Sequence, residues 1–284
     1  MATTQKQLET TDHRRDRAGL IYVYPVVSRR AGGVSIGINL NPNNACNWRC
    51  IYCQVPDLKR GSAPPIDLQL LERELRGFVR ELQHGSYMQE NVPEAMRRIV
   101  DVALSGNGEP TSACEFPEVI ARAAAVLRDA GLAGTVTVRV ITNGSLVSRG
   151  HVQEGLRRLG EIGGEAWFKV DAGTAEGFRR INSVELSPQA VARNLGRCAG
   201  LCPTWVQTCM FEIDGTPPEE GEISAYLGLL AKAGVERLRG VHLYGLARPS
   251  LQPESSRLTN LPTDRLEGIA ARIRTLGLAV RVSP

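Results

Sequence analysis

Three of the seven cysteines in this 284-residue chain fall within eight positions. They are Cys46, Cys50 and Cys53, in the run Asn41-Pro42-Asn43-Asn44-Ala45-Cys46-Asn47-Trp48-Arg49-Cys50-Ile51-Tyr52-Cys53. One loop with the spacing C-x3-C-x2-C can turn all three sulfurs toward a single point. Thiolates are soft ligands that suit zinc or an iron–sulfur cluster. A closed structural zinc takes a fourth protein ligand. The neighbourhood is poor in them: Asp57 offers a hard oxygen, and His84 stands a helix away. Three sulfurs on a four-iron, four-sulfur (4Fe-4S) cluster leave one iron open, and an open metal position is where chemistry takes place. The triplet alone therefore admits an open cluster, a zinc knuckle in a non-catalytic interaction module, or three buried thiols.

Four other stretches carry residues of chemical use. Gly106-Asn107-Gly108-Glu109-Pro110 joins flexible backbone to a carboxylate. Thr142-Asn143-Gly144 and Lys169-Val170-Asp171 follow β-rich runs, as do Tyr244-Gly245 and Arg248-Pro249. Alternate strand residues share a face, so Lys169 and Asp171 point the same way, either into an interior or out as a surface pair. The remaining cysteines are Cys114, Cys198, Cys202 and Cys209. The last three are spaced for an auxiliary cluster, but apolar neighbours suit buried thiols. Cys209 becomes a hydrogen-atom donor if it faces an interior. Histidines 13, 84, 151 and 242 show no ligand spacing, and His242 reads as a core residue.

Periodicity supplies the elements that must position these residues. Strand-like runs occur at 21–27, 34–40, 99–104, 135–142, 166–170, 204–213, 237–244 and 278–282. Helical spacing recurs near 70–82, 116–127, 152–159, 174–181, 188–200, 219–233 and 264–276. Asp67 after Pro64-Pro65 is a helix cap, and Gly85 closes that helix. Strand and helix alternate six times without a linker, the pattern of right-handed βαβ units in a parallel sheet. The fold class is α/β, a partial (β/α)6 TIM-like barrel with parallel strands. In such folds functional residues gather at the carboxyl ends of the strands, where the cysteine loop and the four stretches above all fall. The chain divides into a flexible arm over residues 1–18 and a core barrel over 19–284 that begins with a hairpin. Arg29 and Arg30 lie at the hairpin tip and are candidates for substrate contact, with Tyr244 and Arg248.

The cysteine spacing, with Tyr52 just before the last cysteine, resembles the cluster loop of the radical S-adenosylmethionine (SAM) enzymes. The resemblance implies that Cys46, Cys50 and Cys53 hold a 4Fe-4S cluster whose open iron chelates SAM, and that reductive cleavage gives a 5′-deoxyadenosyl radical. It implies that Tyr52 packs near the adenine. Gly106, Gly108 and Glu109 resemble the motif that holds the SAM amino group, with Asn107 as a departure. Asn143 and Asp171 resemble positions at the SAM ribose and carboxylate. Leu104 to Thr111, Ile141 to Gly144, and Phe168 to Gly173 with Phe178 to Asn182 look like the wyosine-type branch, which includes a tRNA 4-demethylwyosine synthase. That enzyme has a second cluster on cysteines ahead of the triplet, and no cysteine precedes Cys46 here. The implied partners are a small-molecule or RNA substrate and an electron donor such as flavodoxin or ferredoxin.

Composition bounds the rest. Apolar residues make up 42% and charged residues 23%, ordinary values for a globular chain with a large core. A net charge of +4 argues for nucleic acid only if it is clustered. No apolar run approaches the ~20 residues of a membrane span. A polar start without a signal-peptide core and an odd cysteine count point to the cytoplasm.

Overall fold

The computed structural model describes residues 19–28 and 32–284. The arm over 1–18 and the pair Arg29-Arg30 lie outside the described residues. The chain enters through β1 (Val23–Ser28), which pairs antiparallel with β2 (Gly33–Ile38). Two short bridges follow, β3 (Ala45–Cys46) with β4 (Lys59–Arg60), around the cysteine loop. Then come α1 (Leu68–His84), α2 (Tyr87–Asn91) and β5 (Ile99–Leu104). The alternation continues with α3 (Phe116–Asp129), β6 (Thr137–Thr142), α4 (Gly150–Glu161) and β7 (Glu165–Lys169). After α5 (Ala175–Asn182) and α6 (Pro188–Ala199) the chain returns through β8 (Thr204–Cys209) and β9 (Phe211–Ile213). It ends with α7 (Glu220–Ala233), β10 (Leu238–Tyr244), β11 (Leu258–Asn260), α8 (Thr263–Arg274) and β12 (Val280–Ser283).

One eight-stranded sheet carries the order β1-β2-β5-β6-β7-β8-β10-β12. All pairings after β1 are parallel. Neighbouring strands of the sheet follow one another in the chain, so right-handed crossovers put the connecting helices on one face of the sheet. The sheet curls as part of a barrel and stays open, with β1 and β12 as its edges.

The two faces differ in chemistry because strand residues alternate. Val138, Val140 and Thr142 of β6, and Ala166 and Phe168 of β7, are buried toward the helices. There they meet α3 and α4, while α1, whose Leu71, Leu75, Phe78, Val79 and Leu82 are buried, packs on β1 and α3. Asp67 caps that helix by accepting from Gln69 N and Leu70 N. The buried Glu74 accepts from the backbone N–H groups of Ile21, Tyr22 and Val23 and ties the entering strand to α1.

The opposite, concave face is polar. Arg139 pairs with both Asp101 and Glu165, and Ser35 donates to Asp101. Trp167 and Trp205 flank His242, each at 4.6 Å between ring centroids. His242 is thus a core residue of the concave face. A complete TIM barrel fills its interior with branched apolar side chains; this half-barrel lines its interior with charge and aromatic rings.

The run 204–213, which reads as one strand, is two. The Met210 N–H donates to the Tyr244 carbonyl at 2.9 Å, and beyond it β9 pairs antiparallel with β11. The chain leaves the sheet there, and the Phe211 ring meets Tyr52 at 5.5 Å between centroids.

Candidate functional site

The cysteine loop is built by asparagines and by distant segments. Asn39 Oδ1 accepts from Asn41 N and Asn107 N, each at 3.0 Å, so one side chain joins two strand ends. Asn41 Nδ2 donates to the Ala45 carbonyl at 2.9 Å and closes the first turn. Asn44 takes a left-handed φ of 55°, which asparagine tolerates better than most residues. Trp48 is buried beneath the loop. Arg49 N and Ile51 N donate to the carbonyls of Asn182 and Ile181, so the last turn of α5 holds the loop's middle. A strap after β10 holds its end. Ser250 Oγ donates to the Ile51 carbonyl at 2.7 Å, and Gln252 Nε2 to the Val55 carbonyl at 2.9 Å. Arg49 and Glu254 form a forked ion pair at 2.8 Å.

Cys46, Cys50 and Cys53 all line a cavity of about 640 Å³ at the carboxyl ends of the strands. That volume falls in the range of small-ligand sites. Tyr52, Gly106, Gly108, Glu109 and Asn143 line the same cavity, with Lys169, Gln207, Cys209, Tyr244 and Arg248. Burial pushes the Cys46 and Cys50 thiols up to about 12. Thiols so held ionise only for a cation that replaces the lost water, and a metal ligand is deprotonated outright. No three His, Cys, Asp or Glu side chains among the described residues, the cysteine triplet included, converge tightly enough to hold a single metal ion as a zinc knuckle would. Three soft donors on one wall of an open cavity fit a 4Fe-4S cluster with one corner free.

Close backbone approach fixes the turn beside the loop. A Cβ at Gly108 would lie 2.0 Å from the Ala45 carbonyl oxygen, and one at Gly106 2.3 Å from Asn39 Oδ1. Only glycine lets 106–108 lie against the cysteine loop. Glu109 turns its carboxylate inward. Oε1 accepts from Thr111 and Thr142 hydroxyls, each at 2.6 Å, and Oε2 from Asn143 N at 2.6 Å. Burial raises its pKa, opposed by these donors. The carboxylate expected at an amino group thus knits two strand ends together. Asn143 Nδ2 donates to Asn47 Oδ1 at 2.8 Å and reaches the cysteine loop.

Lys169 and Asp171 are an internal pair, Nζ to Oδ1 at 3.7 Å, not a surface one. Lys169 lines the cavity and donates to the Tyr244 hydroxyl at 2.9 Å. Burial works against its ammonium, but the Asp171 carboxylate together with Tyr244, Cys50 and Cys209 outweighs this and holds its pKa above the usual range. Asp171 does not line the main cavity. Its carboxylate accepts from Tyr52 Oη at 2.5 Å, Asn182 Nδ2 at 3.0 Å and Cys209 N at 3.1 Å. Asp171 thus sits one layer behind the cavity wall, where it holds Tyr52 and Lys169.

Cys198 and Cys202 are buried on the helix side, at the end of α6. Cys209 lies at the far end of β8, on the cavity side. Seven residues of extended chain separate Cys202 from Cys209, about 20 Å at strand rise. The three do not assemble into an auxiliary cluster site. Cys209 does face the interior, as its hydrogen-donor reading requires. Asn39, Asn41, Gln207, Ser250 and Gln252 had no sequence signal, since isolated amides and hydroxyls carry no spacing rule. Asn182 stood only at the end of a quoted run.

Residues 40–227 match the family model of the radical SAM superfamily. A UPF0026 protein of Helicobacter pylori is 28% identical over 160 residues, which is 56% of this chain and 44% of that protein. The match thus spans less than half the length of that relative. The structure of TYW1 with a lysine-pyruvate adduct bound aligns with a TM-score of 0.56 at 16% identity, covering 84% of this chain and 72% of that one. Streptococcus suis SuiB bound to S-adenosylmethionine gives 0.57 at 10% identity, covering 89% and 51%. At these identities the likeness to solved structures is one of fold.

Proposed function

The chain belongs to the radical SAM superfamily, enzymes that bind a 4Fe-4S cluster and SAM, and on that premise we propose that it cleaves SAM reductively and acts on a small polar substrate. One observation carries the reading: the three cysteines open onto the same cavity that the strand ends line. When bound, cluster and SAM together supply a 5′-deoxyadenosyl radical, with an electron from a flavodoxin- or ferredoxin-like donor. Everything else is done by the chain's own residues. Cys46, Cys50 and Cys53 hold the cluster. The glycine turn at 106–108, Tyr52 and Asn143 form the SAM pocket. Glu109 fixes the strand ends, and Asp171 fixes Tyr52 and Lys169. Lys169 and Gln207 occupy neighbouring positions on β7 and β8 and offer a charge and an amide to the substrate.

A cavity of about 640 Å³ has to receive SAM as well as substrate, which favours a small molecule over a tRNA nucleotide. Anaerobic reconstitution tests the reading. Wild-type protein should bind four irons per chain and develop a broad visible absorption. With SAM and dithionite it should release 5′-deoxyadenosine. Cys46→Ala, Cys50→Ala and Cys53→Ala should each abolish both. Tight zinc in place of iron, with no SAM cleavage, would sink the proposal.

A further inference from the structure

Asn182 ends α5 and is completely buried. It grips the cysteine loop twice. Its carbonyl accepts from Arg49 N at 3.1 Å, and its Nδ2 donates to Cys50 Sγ at 3.2 Å. The same Nδ2 donates to Asp171 Oδ2 at 3.0 Å. Its Oδ1 is buried with no hydrogen-bond partner among the described residues. An unpaired buried acceptor costs about 1–3 kcal/mol. The opposite amide orientation would set that oxygen against a sulfur and a carboxylate, so the two donations fix the side chain. The Asp171 carboxylate that orients it also accepts from Tyr52 and Cys209 N and pairs with Lys169. The donor at the sulfur is therefore held by the wall of the cavity.

We infer that Asn182 is a positioning residue for the ligand sulfur of Cys50, and that its amide proton raises the reduction potential of the cluster held there. The inference rests on the cluster reading above. Reduction adds negative charge to a cluster and to its sulfurs. An N–H donor at a thiolate stabilises that added charge, and hydrogen bonds to the sulfurs are among the groups that set such potentials. Outer partners of this kind also fix a ligand's direction. Nothing in the residue types around Cys50 announces this, because Asn182 comes from 132 positions along the chain.

The test uses the full chain, reconstituted anaerobically, as wild type, Asn182→Leu, Asn182→Asp and the control Asn194→Ala. Asn194 lies on α6, and its side chain donates to the Gly144 carbonyl rather than to a ligand sulfur. Iron content is measured first, then the midpoint potential by titration followed with electron paramagnetic resonance. Asn182→Leu should shift the midpoint to more negative values, Asn182→Asp should shift it further the same way, and the control should leave it in place. With limiting reductant, 5′-deoxyadenosine formation by Asn182→Leu should fall roughly tenfold, the scale of lost outer-shell partners. An unmoved midpoint in an Asn182 variant with a full cluster overturns the inference. If neither variant folds, the wild type decides. Asparagine labelled with 15N in its side-chain amide should give a nitrogen coupled to the reduced cluster in pulsed resonance, and no coupling overturns the inference. Wild-type protein that binds no iron overturns the functional reading itself, so the two failures are distinct.

Discussion

Gly108 shows how a single hydrogen atom can carry a site. Its missing side chain is what brings the 106–109 turn against the loop, since a Cβ would strike the Ala45 carbonyl at 2.0 Å and the Asn41 amide at 2.7 Å. Gly108→Ala should destabilise the fold by about 1–3 kcal/mol, the usual scale of overpacking, and should lower iron loading more than it lowers the melting temperature. Equal losses would mean that the glycine serves the fold alone. The buried thiols make a second prediction. Cys46 and Cys50 titrate at about 12 in the folded chain against 9.0 for an ordinary thiol. Their folded values are raised, so the stability tied to the protonated thiols is intact below pH ~9 and is lost as pH rises toward ~12. The melting temperature of iron-free protein should fall across that window. The Cys46→Ala, Cys50→Ala double variant should fall less, and equal slopes would refute the assignment.

At the scale of elements, the cysteine loop depends on segments that follow it by over a hundred residues. The end of α5 and the strap at 250–254 hold its backbone from two sides. Ser250→Ala removes the hydroxyl that serves the Ile51 and Cys53 carbonyls. It should cost about 1–3 kcal/mol, since the Ile51 carbonyl loses its donor while the Cys53 carbonyl keeps the Leu251 N–H. Iron should then pass to a chelator roughly tenfold faster, and an unchanged rate would show that the strap does not support the site. These pairings also mark the limit of what the sequence discloses. The strands and helices were readable because their two faces differ in polarity, and the cysteines, Tyr52, Gly106 and Gly108 were readable because their spacing is local. Asn39, Asn182 and Ser250 act across 68, 132 and 199 positions, and no periodicity encodes such meetings. Asp171 was found for the right strand end, but its direction depends on Tyr52 and Cys209, which only the folded chain brings to it.

The whole molecule is a sheet wound one way, with helices outside and a charged concave face within. No helix among the described residues is long and apolar enough to cross a membrane. The proposed small-molecule substrate and an RNA one differ in what binding would show. An RNA-modifying enzyme neutralises phosphates, so its affinity falls steeply with salt. This protein should bind bulk tRNA only at the non-specific level, while a small-molecule extract supports turnover with SAM. Tight tRNA binding with a steep salt slope and a modified base would reverse that assignment. Lys169→Met should keep SAM cleavage and lose turnover of the substrate. Loss of cleavage itself would place Lys169 with SAM instead.

The strap at 250–254 has a consequence for how the protein matures. The three sulfurs are synthesised near residue 50, but the strap groups that shape their loop follow about two hundred positions later. Iron offered to a nascent chain would meet an unshaped loop. A cluster held by these sulfurs would therefore be retained only once the strap through Glu254 has been made.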